Sequence, residues 1–225
     1  MTENKTTKRE QQTQKMNQLV HELVQKIDRN PEEPQNYYDL ATVLVDGNDY
    51  EQAEELLMKA LGLFDNDEVT VKDKLIYGLA NVYYAAEEYP KAIQWFEKIT
   101  SQQLKTDAYL MLAQSYLALG DNKRSMAFAL TAQGKQIMKP EISNLIGDNL
   151  LALGDFEQAG SFYDQTLAVD PDNGPANFNR GLVAMVQAEP YAIYFDKAKK
   201  TDPDYFQKSQ QKLTDIEKFL KTKQE

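Results

Sequence analysis

Cysteine is absent from this 225-residue chain, and histidine occurs once, as His21. The first absence excludes disulfides, thiolate metal sites and cysteine nucleophiles. The second removes histidine clusters, and with them the common zinc ligand sets and Ser-His-Asp chemistry. Long hydrophobic runs are missing too: no stretch approaches the roughly 18 apolar residues of a membrane-spanning helix. The opening segment, MTENKTTKREQQTQK, holds no apolar core of a secretion signal, so a cytoplasmic location is the expectation. Glycines do not gather into a phosphate-cradling loop, since Gly78, Gly120 and Gly154 stand singly. Acidic pairs such as Glu54-Glu55 and Glu87-Glu88 are adjacent, and adjacent helical residues point about 100° apart, so they make no catalytic dyad. Asp65-Asn66-Asp67-Glu68 lacks the glycine and closing glutamate of a calcium loop. The expectation is a chain that is not an enzyme and needs neither metal nor cofactor.

Positive charge is also scarce: 25 Lys and Arg face 35 Asp and Glu, a net charge of −10. Between Asp28 and Lys74 there are 13 acidic residues against 4 basic ones, nearly the whole excess. Sequence-independent nucleic-acid binding rests on cations that neutralise phosphates and is disfavoured. The acidic stretch reads as a solvated face or as a docking surface for a basic partner.

What is present is a repeated apolar pattern. The clearest copy is Pro140 to Pro171, with Ile146, Gly147 and Leu150 on a first helix, a turn at Leu153-Gly154-Asp155-Phe156, and Ala159, Phe162, Tyr163 and Leu167 on a second. A lone helical hairpin cannot bury both apolar faces, so it needs neighbours of its own kind. The other copies fall near 34–67, 73–105, 106–139 and 174–203. Residues 1–13, polar and without apolar periodicity, read as a disordered tail. Met16, Leu19, Val20, Leu23, Val24 and Ile27 recur at helical steps and make a cap helix over 14–30. Residues 204–222 carry Tyr205, Phe206, Leu213, Ile216 and Leu220 on one side, which predicts a C-terminal cap helix or, alternatively, a face for homodimerisation.

A period of about 34 residues with a small residue at position 8, an aromatic or leucine at 11, alanine at 20 and 27 and proline at 32 resembles the tetratricopeptide repeat. Position 8 reads Ala41, Ala80, Ala113, Gly147 and Gly181, and position 20 reads Ala53, Ala92, Ser125 and Ala159 before Tyr191 breaks the series. Position 32 is Asp65, Leu104 and Ile137 in the first three copies, so proline marks only the other boundaries. Five residues, Glu68 to Lys72, separate the first two copies. The last copy is two residues short between Gly181 and Phe195, with Pro190 in the gap, which predicts a tighter final turn.

The resemblance implies an all-α, right-handed superhelical solenoid of five helix-turn-helix repeats with a cap helix at each end, over 14–222. It implies a non-enzymatic adaptor or scaffold that binds a protein or peptide segment in a concave groove lined by first helices. Positions 5, 9 and 12 share one helical face. They place Tyr38, Tyr77, Leu110, Asn144 and Phe178 on one rail and Val45, Tyr84, Leu117, Leu151 and Met185 on the other. A mostly polar row of Thr42, Asn81, Gln114, Asp148 and Leu182 runs between them. Amides can donate to and accept from a peptide backbone at once. Chaperone-binding members hold a terminal carboxylate with Lys and Asn side chains, but the matching positions here are Tyr38, Thr42, Asn81, Asp107 and Met111. Shifting by one repeat gives Tyr77, Asn81, Gln114, Glu141 and Leu145. Neither set makes a carboxylate clamp. A second reading is a peptide-sensing regulator that switches a partner, in a chain with no DNA-binding domain of its own.

Overall fold

A computed structural model describes residues 2–134 and 139–222, with the backbone alone over 2–12. The described residues form thirteen helices and no strand. The chain divides into two compact units that meet at Leu119 and Gly120, inside the turn of the third hairpin.

The first unit holds α1 (Thr2–Arg29), α2 (Pro34–Asp46), α3 (Tyr50–Leu63), α4 (Val69–Ala85), α5 (Tyr89–Phe96) and α6 (Gln102–Ala118). The second holds α7 (Asn122–Gln133), α8 (Pro140–Ala152), α9 (Phe156–Val169), α10 (Gly174–Val186), α11 (Ala192–Thr201), α12 (Pro203–Lys208) and α13 (Gln210–Thr222). Within the units, α2 packs on α3, α4 on α5, α8 on α9 and α10 on α11. Ala41, Ala80, Ala113, Ala53, Ala92, Ser125 and Ala159 are all buried, as the repeat register requires.

One turn is used throughout. Asn48, Glu87, Gly120, Gly154 and Ala188 all occupy position 15 of their repeats, and all have φ between 57° and 79°. The next N–H reaches back to the carbonyl five residues earlier, as in Asp49 to Leu44 at 2.8 Å and Asp155 to Leu150 at 2.9 Å. This left-handed stop satisfies carbonyls orphaned at the helix end. In three of the hairpins the following residue is an aspartate that caps the second helix: the Asp49, Asp121 and Asp155 carboxylates accept from Gln52, Arg124 and Gln158 backbone N–H groups.

Several boundaries differ from expectation, each for a local reason. Where proline fills position 32, the next helix waits for position 1, as after Pro31 and Pro171. Where Asp65 and Leu104 replace it, α4 and α6 begin four residues early, so the spacer Glu68–Lys72 caps and opens α4. The Ile137 boundary lies outside the described residues. Buried Asp73 ties α4 to the start of α6, accepting from the backbone N–H of Thr100 at 2.9 Å and of Ser101 at 2.5 Å. The final turn is longer, not tighter: five residues, Gln187 to Tyr191, join α10 to α11, and the two-residue deficit is taken from the start of α11. The backbone of α1 is helical from Thr2, through the stretch expected to be a disordered tail, since neither Gly nor Pro interrupts it before Pro31.

Candidate partner-binding faces

In the first unit α2, α4 and α6 lie side by side. Close approach of α2 and α4 needs Gly78, because a Cβ there would sit 3.1 Å from the Tyr38 ring and 3.3 Å from Leu57. The Lys74 ammonium lies 5.3 Å from the Tyr38 ring centroid and donates to Gln35 Oε1. Tyr77 meets Phe96 edge-on at 5.6 Å and Tyr84 meets Tyr89 likewise at 5.5 Å, which fixes both phenols from one side. Tyr38, Tyr77, Asn81, Tyr84, Leu110, Gln114 and Leu117 are all half-buried, while Thr42 is exposed and donates to its own helix at Tyr38 O.

Burial raises the Tyr77 hydroxyl to about 12, with the negative charge of Asp107 and the neighbouring Tyr38 adding to it and a hydrogen bond with Asn81 opposing it. Burial also raises Tyr38, with Asp39 adding, and Tyr84, with Tyr89 adding. All three phenols therefore stay neutral donors around pH 7. The face presents a row of amphipathic rings beside the Asn81 and Gln114 amides. Within this unit α4 and α6 meet only their neighbours in the stack, among the described residues.

The matching face of the second unit is built differently. Phe178, expected to line a groove, is 0% exposed. It is enclosed edge-on by Phe195 at 5.4 Å, Tyr205 at 5.9 Å and Phe206 at 5.4 Å, so it is a core residue. Leu182 is buried as well, and Leu151, Leu213 and Ile216 pack onto the same cluster. The apolar stripe of the C-terminal segment, read as a cap or a dimer face, is thus turned onto this chain's own α10. Its far end is held where Phe219 stacks on Phe156 at 6.0 Å.

Asp148 is not an open groove residue either. Its Oδ1 accepts from Tyr163 Oη and from Asn179 Nδ2, both at 2.7 Å. Asn179 Nδ2 also reaches Tyr205 Oη at 3.3 Å, to which Lys212 Nζ donates at 3.4 Å. Burial pushes the Asp148 carboxyl up, against the attraction of Lys212 and the two hydrogen bonds. Burial and the Asp148 carboxylate together push the Tyr163 phenol well above its ordinary value. Asn144 donates to Asn173 Oδ1 at 2.9 Å, bridging α8 to the cap of α10. Sequence reasoning missed Tyr163, Asn179, Tyr205 and Lys212 as one network. The available signal was a polar Asn179 on the buried stripe of α10, opposite Asp148.

The tetratricopeptide repeat model matches residues 38–104, 77–137 and 144–190. The chain belongs to the tetratricopeptide repeat family. Members of this family are generally interaction modules rather than enzymes. Solved structures of the same fold include YrrB, a TPR protein with an unusual peptide-binding site. It is 24% identical over 81% of this chain and 93% of that one, with a TM-score of 0.55. PilF of Pseudomonas aeruginosa is 17% identical over 89% and 91%, at 0.67. BtubC (BKLC) from P. vanneervenii is 19% identical over 91% and 92%, at 0.64. At these identities the likeness is one of fold. No curated protein matches the chain in sequence.

Proposed function

We propose that the chain is a non-enzymatic adaptor or scaffold that binds a segment of a partner protein on the α2–α4–α6 face of its first unit. The observation that carries this reading is the row of half-buried tyrosines, Tyr38, Tyr77 and Tyr84, beside the Asn81 and Gln114 amides and the Leu110 and Leu117 side chains. Rings already held by Phe96 and Tyr89 lose little freedom on binding, and each offers apolar area with a polar tip. The amides can pair with a ligand backbone, and the leucines can seat apolar anchors. The peptide-binding site of YrrB supports peptide binding by this architecture, not by these residues.

The test compares wild type with Tyr84→Glu/Leu117→Glu in affinity capture from the source cell's lysate. Circular dichroism and a melting curve first establish that the variant keeps its helix content. We expect at least one protein to be captured by wild type and lost with the variant. An unchanged set of captured proteins would rule this face out.

A further inference from the structure

The face of the second unit that corresponds to the proposed site is filled by the chain itself. Helix α13 lays Leu213 and Ile216 on the buried cluster of Phe178 and Leu182, groove positions 5 and 9 of the last repeat, against which Leu151, position 12 of the repeat before, also packs. Phe219 extends the contact to Phe156 at the start of α9. A cation sits at its edge: Lys212 Nζ donates to Tyr205 Oη at 3.4 Å, beside the Asn179 and Asp148 network.

Two features set α13 apart from a built-in cap. None of its residues is buried, although its apolar residues Leu213, Ile216, Phe219 and Leu220 are half-covered. It is also separated from α12 by a break at buried Ser209, where Ser209 N–H closes on Tyr205 O at 2.9 Å and Lys212 N–H on Ser209 O at 3.0 Å. A 13-residue helix of this kind is marginal by itself and depends on its seat. An element with few buried contacts sits at the low-stability end of the structure.

We propose that the α8–α10 face is a second docking site, that α13 is its resident occupant, and that its ligand is an amphipathic helix of the same chemistry. Such a helix carries apolar anchors at i, i+3 and i+7, as Leu213, Ile216 and Leu220 do, with a lysine one residue ahead of the first. Leu151 and the rims of Phe178 and Leu182 receive the anchors, and Tyr205 Oη accepts from the lysine. Binding and α13 are then mutually exclusive, and release of α13 is the step that admits the partner. This face is distinct from that of the first unit, and the two proposals fail separately.

The test uses the 225-residue chain and, as probe, a fluorescent peptide of the chain's own residues 210–222. The absence of cysteine allows Phe156→Cys/Phe219→Cys to be joined by a short bifunctional thiol reagent that holds α13 down. The unjoined variant should bind the peptide saturably, and joining should weaken binding at least tenfold. In a second variant, Leu213→Glu/Ile216→Glu vacates the face and should tighten peptide binding at least fivefold over wild type. Tyr84→Glu/Leu117→Glu should leave it unchanged. Equal binding by joined and unjoined protein, or no binding by the vacated variant, would overturn the proposal. A dimer formed by exchange of α13 between differently tagged copies would also overturn it, making a second copy the occupant.

Discussion

A methyl group at Gly147 would stand 2.7 Å from the ring of Tyr163, a distance at which something must move. At Gly181 it would stand 2.8 Å from Phe195. Repeats one to three carry alanine at the same position, with Leu57, Phe96 or Ala129 sixteen residues further on, so the very close ring approach belongs to Tyr163 at Gly147 and Phe195 at Gly181. Tyr163 cannot yield, because it is 0% exposed and its hydroxyl is bonded to Asp148 at 2.7 Å. Gly147→Ala should therefore destabilise the second unit by about 1–3 kcal/mol through overpacking. The cost should fall by more than half in a Tyr163→Leu background, which imports the Ala41 and Leu57 pairing of the first repeat. Urea unfolding of the four proteins in the cycle measures this coupling, and strict additivity would break the proposed pairing. The need for a small residue at 147 was legible from the repeat pattern. Which ring enforces it, and that this ring also anchors Asp148, was not, since periodicity reports burial but not which polar groups meet inside.

Among elements, the helix stop is the unit of construction. All five hairpins use a left-handed residue at position 15; Gly120, Gly154 and Asn48 are suited to it, whereas Ala188 adopts φ 57° and Glu87 φ 61°. An L-residue with a Cβ is strained there, by roughly 1–2 kcal/mol. Ala188→Gly should relieve most of that, offset by the extra freedom glycine gains when unfolded, for a net stabilisation of about 0.5–1 kcal/mol. Thermal melting read on the second unit should move upward; an unchanged or lower midpoint would mean that the Ala188 turn carries no strain. Helix existence and pairing were readable from apolar spacing. Helix starts were readable only where proline enforced them, which is why α4 and α6 gained a turn. The lengthened α10–α11 connection was not readable, because a deletion in a repeat can be absorbed by a helix as readily as by a loop.

For the whole molecule, the five-repeat array was legible and its division at Leu119 and Gly120 was not, because every repeat obeys the same local rules on both sides. The seat of α13 was hidden for a related reason: an amphipathic stripe announces that it will be covered without saying by what. The outcome is two faces built from the same repeat positions in different states. In the first unit the tyrosine and amide row keeps part of its surface open; in the second the equivalent row is held by the chain's own helix. No described helix is long and apolar enough to cross a membrane.

The central claim is that the first of these faces receives a protein segment. It is tested most directly by placing a photo-crosslinking amino acid at Tyr84, on that face, and separately at Met58, which is 47% exposed on α3, in chains expressed in the source cell. Illumination should yield discrete protein adducts from position 84 and none from position 58. Adducts from 58 alone, or the same adducts from both, would contradict the account.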